Sequence, residues 1–228
     1  MTVRTYCASV EPLRDPEIYA RAYGLMPEYR RRSIDDNPSL QNRMLSIGAD
    51  LLLRKALMDL RLDTDTSDII EGRYGKPAFV DDRIQFNLSH SGDRVMCCVS
   101  EKEVGCDVER IRDMDIGIAR RHFTKDEQEL ILSQDDDERM RMFFRIWTLK
   151  ESFMKATGCG MNMDLRSFTI HIKDGISVEC ESHPGDFRFA EFDRDGYHYA
   201  VCSCGDDIDP LLREADLNTI LSELSTTE

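Results

Sequence analysis

The run VGCDVER, residues 104 to 110, carries two carboxylates two positions apart. On an extended strand successive side chains alternate between faces, so Val104, Cys106 and Val108 point one way and Gly105, Asp107 and Glu109 the other. The apolar set belongs in a core. Asp107 and Glu109 then stand about 7 Å apart along one face, and like charges so placed repel unless solvated, protonated or bridged by a cation. Taken alone, D-x-E on a strand is most economically an exposed polar face. A second stretch, WTLKESFMKATGCG at residues 147 to 160, sharpens the question. At roughly 100° per residue, Met140, Phe143, Phe144, Trp147 and Met154 share one helical arc, and Glu151 projects within about 40° of Trp147. Lys155 lies one turn further on, and Lys150 on the other flank of the arc. A Glu151–Lys155 pair on a part-exposed helix would need no function. An ionised acid among aromatics is costly without a partner, which favours a cleft carboxylate flanked by two lysines.

The elements that must position these groups follow from periodicity. VRTYCASV reads as a first strand, and LQNRMLSIGADLLLRKALMDL has apolar residues at three- and four-residue intervals, an amphipathic helix that should pack on a sheet. RIQFNLSHSGDRVMCCVS reads as two short strands joined by the polar turn SHSGD, and EVGCDVERI as another strand. Thr124 and Glu127 form the T-x-x-E pattern that opens a helix, where Glu127 is more economically a capping residue than a catalytic one. A second helix is expected from about Glu138 to Thr157, closed by Gly158 and Gly160. Two stretches, SFTIHIKDGISVECE and FRFAEFDRDGYHYAVCS, alternate around hairpin turns at KDG and RDG. The order is strand, helix, strands, then strand, helices, strands. It predicts an α+β fold of two similarly composed α/β halves, divided as residues 1–102 and 103–228.

Bulk properties narrow the class. A chain of 228 residues, 41% apolar and 32% charged, has the composition of a soluble globular protein. No apolar run approaches the roughly 20 residues that span a bilayer, and MTVRTYCASVEPLRD lacks a signal pattern, so a cytoplasmic protein without a membrane partner is expected. The eight cysteines, several inside strand-like runs such as VMCCVS, are expected to be reduced and mostly buried, and the lone C-x-C at 202 and 204 supports zinc only weakly. A formal charge of −14 argues against nucleic acid as a partner. Arginines nevertheless cluster at 30, 31, 32 and 43 and again at 120, 121, 139, 141 and 145.

In their order and separation, GKPAF, FNLSHSGDRV, GCDVE and FFRIWTLKESFMKATGCGM resemble the 4′-phosphopantetheinyl transferases of the Sfp (surfactin-synthetase-activating) type. The specific core of the likeness is G-x-D-x-E followed about 40 residues later by W-x-x-K-E-x-x-x-K. It runs from the Arg30 region to about Met161, and more loosely beyond. The resemblance implies two α/β halves in a pseudo-twofold arrangement. It also implies transfer of the phosphopantetheine arm of coenzyme A to a serine hydroxyl of an apo acyl- or peptidyl-carrier domain, with release of adenosine 3′,5′-bisphosphate.

Position by position, it implies a magnesium site at Asp107, Glu109 and Glu151, with Mn²⁺ as an alternative oxygen-seeking ion. Lys155 matches the lysine on the pyrophosphate and His90 the histidine on a coenzyme A phosphate, and Lys150 is expected to add positive potential. Ser89 and Lys76 match positions near the nucleotide and its 3′-phosphate; Arg32 and Arg43 match basic phosphate contacts, with Arg30 or Arg31 as alternatives to Arg32. Tyr29 stands where the family often has a basic residue. Glu151, Lys155, Asp107 and His90 form the expected catalytic set, with Glu151 or a metal-bound water as the base. Carrier docking is expected through a local arginine patch or an apolar surface around Thr157 to Met163, tested by replacing Met161 and Met163 with aspartate. By analogy a monomer is expected, since two halves let one chain build the cleft. Two other classes stay open: a non-catalytic coenzyme A-binding module, and a metal-dependent phosphohydrolase using the same carboxylates.

Overall fold

The structure, a computed structural model, describes residues 1–64, 66–72 and 75–225 and leaves aside the side chains at 29, 137 and 161. The chain opens with β1 (Val3–Ser9), two short helices α1 (Pro16–Gly24) and α2 (Glu28–Asp35), and the long helix α3 (Leu40–Asp59). Asp15 accepts the first free N–H groups of α1 and Ser39 that of Asn42 in α3, so each start is fixed by a short polar side chain. A small ribbon of β2 (Ile69–Glu71) and β3 (Pro77–Phe79) leads to β4 (Gln85–Ser91), β5 (Arg94–Ser100) and β6 (Val104–Arg110). Helices α4 (Gly117–His122), α5 (Lys125–Leu132) and α6 (Asp136–Ala156) follow, then β7 (Thr169–His171), β8 (Ser177–Glu179), β9 (Phe187–Arg194), β10 (Tyr197–Cys204), β11 (Ile208–Glu214) and α7 (Leu217–Ser225).

Two sheets organise these elements, one ordered β11-β1-β5-β4 and the other β6-β10-β9. Helix α3 covers the outer face of the first, burying Ile47, Leu51 and Leu52 against Val95, Cys97 and Val99, and α6 covers the outer face of the second. Between the sheets, Val3, Cys7, Met96 and Cys98 meet Val104, Cys106, Val108 and Tyr199. The result is helix, sheet, sheet, helix, an α+β fold as expected. Cys7, Cys97, Cys98, Cys106 and Cys202 are buried free thiols within it.

Helix α6 has two apolar faces. Leu149, Phe153 and Met154 pack toward β10, whereas Phe143, Phe144 and Trp147 pack against α4 and α5. It ends where expected, with Gly158 at φ +69°. The β9–β10 hairpin turns through Asp195 and Gly196, both at positive φ (52° and 78°), the geometry that matches a right-handed strand twist.

Three expectations change. The division at residue 102 is crossed by the chain end, because β11 pairs in parallel with β1 and α7 packs on α3. The residues Ser89 to Ser91 are strand and not turn, since β4 and β5 pair as far as Ser91 and Arg94. Met163 is 9% exposed within the α6–β10 core, so it cannot serve as a docking surface. The side chains of Tyr29 and Met161 lie outside the described residues.

Candidate functional site

Strand β6 lies at the edge of its sheet, paired to β10 on one side only. An open edge leaves backbone N–H and C=O groups that need partners once buried. Here side chains supply them. Asn87 Oδ1 accepts from Cys106 N–H (2.9 Å), Ser89 Oγ from Val108 N–H (3.3 Å) and Ser91 Oγ from Arg110 N–H (3.2 Å). Lys76 Nζ donates to the Val104 carbonyl and Lys155 Nζ to the Cys106 carbonyl, each at 3.1 Å. The sequence segments GKP, NLSHS, GCDVE and WTLKESFMK thereby meet along a single strand edge.

The carboxylates are caught in the same web. Ser89 donates to Asp107 Oδ1 (2.8 Å) and Ser91 to Glu109 Oε2 (2.7 Å). Lys155 Nζ reaches Asp107 Oδ1 at 2.6 Å and Ser89 Oγ at 3.1 Å. The expected alternation of β6 holds, but its polar face is not open to water. Helix α6 lies on it so closely that a Cβ on Gly105 would overlap the Ser152 carbonyl oxygen and the Ala156 nitrogen. Gly105 therefore sets how deeply Glu151 and Lys155 reach toward Asp107.

Charges respond to this crowding. Burial, reinforced by the Asp107 and Glu109 carboxylates and opposed by Lys155, raises the Glu151 pKa above the usual glutamate range. Burial would lower Lys155, yet the combined pull of Asp107, Cys106 and Glu151 holds the ammonium above the usual lysine range. Partial burial of the ring and then the Lys155 charge push His90, exposed at the rim, below the usual histidine value. His90 is thus poised as a neutral hydrogen-bonding group near pH 7. Lys76 and Lys155 line a cavity of about 280 Å³ together with Asn87, Leu88, Gly158 and Gly160.

Not every expected residue joins. Lys150 faces away from the seam: it is fully buried, 2.6 Å from Glu127 Oε1, donates to the Phe168 carbonyl and sits 4.1 Å above the Phe168 ring. Its expected role beside Glu151 is corrected to one inside the core. Glu127 does cap α5, accepting from Thr124 N–H, and also accepts from Ile170 N–H. In α2, Arg30 lies 3.7 Å from the buried Asp50, and Arg31 donates to the Gly24 carbonyl and stacks over Tyr23. Arg32 is 76% exposed beside Glu28, the one of the three whose charge faces water. Arg43 donates to the Asn37 carbonyl in the first turn of α3. No contact described among these residues ties Arg32 or Arg43 to the Ser89–Asp107–Lys155 cluster.

Among the described residues, no group of three or more His, Cys, Asp or Glu side chains is gathered as a finished metal site. The donor chemistry nevertheless suits a hard cation. Asp107 Oδ2 is buried without a hydrogen-bond partner, and Glu151 has neither hydrogen bond nor ion pair among the described residues. Asn87, Ser91 and Gly105 are the positions that reading by motif missed. The N-x-S-x-S alternation is visible in the sequence, but its destination on another sheet is not.

Comparison with known proteins shows what family the chain resembles. Residues 103–202 match the family model described as the 4′-phosphopantetheinyl transferase superfamily. The chain is 36% identical over 165 residues to 4′-phosphopantetheinyl transferase Sfp of Bacillus subtilis (strain 168), covering 69% of this chain and 73% of that protein. It is 41% identical over 127 residues to 4′-phosphopantetheinyl transferase gsp of Aneurinibacillus migulanus, 55% of this chain and 53% of the relative. Among solved structures, a holo-(acyl-carrier-protein) synthase from Bacillus anthracis str. Ames in complex with CoA (3′,5′-ADP) aligns with a TM-score of 0.41 and 14% identity, over 44% of this chain and 92% of the other. At the seam Lys155 meets Asp107, while Lys76 on the same cavity pairs with Glu103 at 2.9 Å. The chain belongs to the 4′-phosphopantetheinyl transferase superfamily and is of the Sfp type.

Proposed function

We propose that this protein transfers the 4′-phosphopantetheine arm of coenzyme A to a serine hydroxyl of an apo acyl- or peptidyl-carrier protein, releasing adenosine 3′,5′-bisphosphate. The carrying observation is the convergence of Lys155, Asp107 and Ser89 within 3.1 Å at the seam, with Lys76 on the same cavity. In the transfer, the serine oxygen bonds to the β-phosphorus while the bond from that phosphorus to the bridging oxygen breaks, so charge grows on the departing bisphosphate. In this reading Lys155 and Lys76 would meet phosphate oxygens, and His90 would hydrogen-bond one. Arg32 offers an exposed charge for a coenzyme A phosphate, and Arg43 on α3, half-buried and bonded to the Asn37 carbonyl, a second basic contact.

Asp107, Glu109 and Glu151 would hold Mg²⁺, or Mn²⁺, which compensates charge on the pyrophosphate when bound. Lys155 neutralises Asp107 in its absence. Glu151, with its raised pKa and free oxygens, is our choice for the base that takes the serine proton. Both walls of the cleft come from one chain, which supports action as a monomer. No helix among the described residues is long and apolar enough to cross a membrane.

Intact-mass measurement of an apo-carrier incubated with coenzyme A and Mg²⁺ tests the proposal. The expected result is a carrier heavier by one phosphopantetheine arm on its serine. Coenzyme A consumed without a carrier would favour a phosphohydrolase, and coenzyme A bound with the carrier unchanged a binding module.

A further inference from the structure

Strands β4 and β6 are the facing edges of the two sheets, and their contacts rise together: 87 with 106, 89 with 108, 91 with 110. They run parallel, as a sheet would, yet exchange no backbone pairs. Had they paired directly they would stand about 4.8 Å apart, leaving no width for other groups. Instead, one side-chain oxygen every second residue replaces each carbonyl that a sheet would have offered. The spacing opens by the reach of a short side chain, and into that opening come the Lys155 ammonium and the Asp107 carboxylate.

We infer that Asn87 and Ser91 are positioning residues, the two ends of a side-chain ladder through Ser89 that holds the halves at a fixed spacing and aims Asp107 and Glu109 into the cleft. Ser91 shows the logic most clearly. Its oxygen accepts from Arg110 N–H, and its proton goes to Glu109 Oε2, so one hydroxyl satisfies the strand edge and orients the carboxylate beside it. Asn87 does the equivalent for the Cys106 amide at the other end, buried at 7% exposure. Threonine at 91 keeps the hydroxyl; alanine takes the acceptor from the Arg110 N–H and leaves Glu109 Oε2 held, among the described residues, only by the Arg112 guanidinium at 3.4 Å.

The aiming part of the inference rests on the proposed function; the ladder does not. Amide hydrogen exchange on the full chain, with no ligand, separates them. In Ser91→Ala the Arg110 amide should lose about tenfold in protection while the Cys106 and Val108 amides hold, and in Asn87→Ala the Cys106 amide alone should lose protection. Calorimetric titration with Mn²⁺ alone should show binding to Ser91→Ala weakened about tenfold, the lower end of what loss of a residue supporting metal ligands costs, and restored in Ser91→Thr. The transfer kcat should follow the same order. Unchanged protection at Arg110, or equal loss at all three amides, overturns the ladder. Local loss of protection with Mn²⁺ affinity and kcat intact, or no recovery in Ser91→Thr, overturns the aiming role. If the wild-type chain neither binds Mn²⁺ nor modifies a carrier, the functional reading fails while the exchange data still decide the ladder.

Discussion

Lys150 and Glu127 form an ion pair of 2.6 Å in which neither side chain is exposed, on the side of α6 turned away from Lys155. The burden of desolvating Lys150 is visible in its pKa, lowered by burial against the opposing pull of Glu127. The pair ties α6 to α5 and, through the Phe168 carbonyl and Ile170 N–H, to the start of β7. It stiffens the rod that presents Glu151.

Lys150→Ala should therefore act on stability and not on ligand binding. Removing one member of a buried pair strands the other charge, at a cost of about 3–5 kcal/mol. Denaturant unfolding should show that loss, and a Glu127→Gln/Lys150→Met double variant should recover part of it. Coenzyme A affinity of whatever remains folded should match the wild type; a selective loss of affinity at full stability would return Lys150 to the site.

Gly105 offers a sharper steric test. A methyl group there meets the backbone of α6, which cannot yield as a flexible side chain would. Gly105→Ala should push α6 off β6, destabilising the protein by about 3 kcal/mol and lowering kcat even at temperatures where the variant stays folded. Thermal unfolding and initial rates check both halves of the statement.

Local pattern made much of this site legible. The alternation of VGCDVER fixed the faces of β6, and the glycines after Ala156 marked the end of α6. Lys150 was misplaced because a helical arc shows which residues share a side, not that both sides are covered; α6 buries one face on β10 and another on α5. The return of β11 and α7 to the first half is a pairing across some 200 residues, and no local periodicity encodes it. The ladder of Asn87, Ser89 and Ser91 shares that character: a polar alternation reads as a wet face until a second sheet edge is found against it.

Carrier recognition has a candidate surface on α4. Arg120 and Arg121 are exposed there, and the helix end is joined to the site because His122 and Phe123 pack on Trp147, one turn before Glu151. Carrier domains are usually acidic, and this chain carries a net charge of −14, so attraction must be local. Reversing both charges, Arg120→Glu with Arg121→Glu, should raise the carrier KM about tenfold through lost complementarity. Coenzyme A affinity should not change; equal carrier kinetics in the variant would move docking elsewhere.

Glu151 links stability to the proposed cation. Burial and the neighbouring carboxylates raise its pKa in the folded state, so in the pH window between the usual glutamate value and the raised folded one the metal-free protein holds a proton there that the unfolded chain has released. Stability from this group is complete below the usual glutamate value and is lost as pH rises through the higher folded value. Above that window the folded protein carries a poorly compensated anion. Glu151→Gln removes the burden, so at neutral pH and without metal its Tm should exceed that of the wild type by a few degrees, with transfer abolished. Added Mg²⁺ should raise the wild-type Tm and leave the variant's unmoved, since the cation stabilises only a chain that binds it. A wild-type Tm indifferent to Mg²⁺, together with no gain in Glu151→Gln, would mean that the three carboxylates do not share an ion.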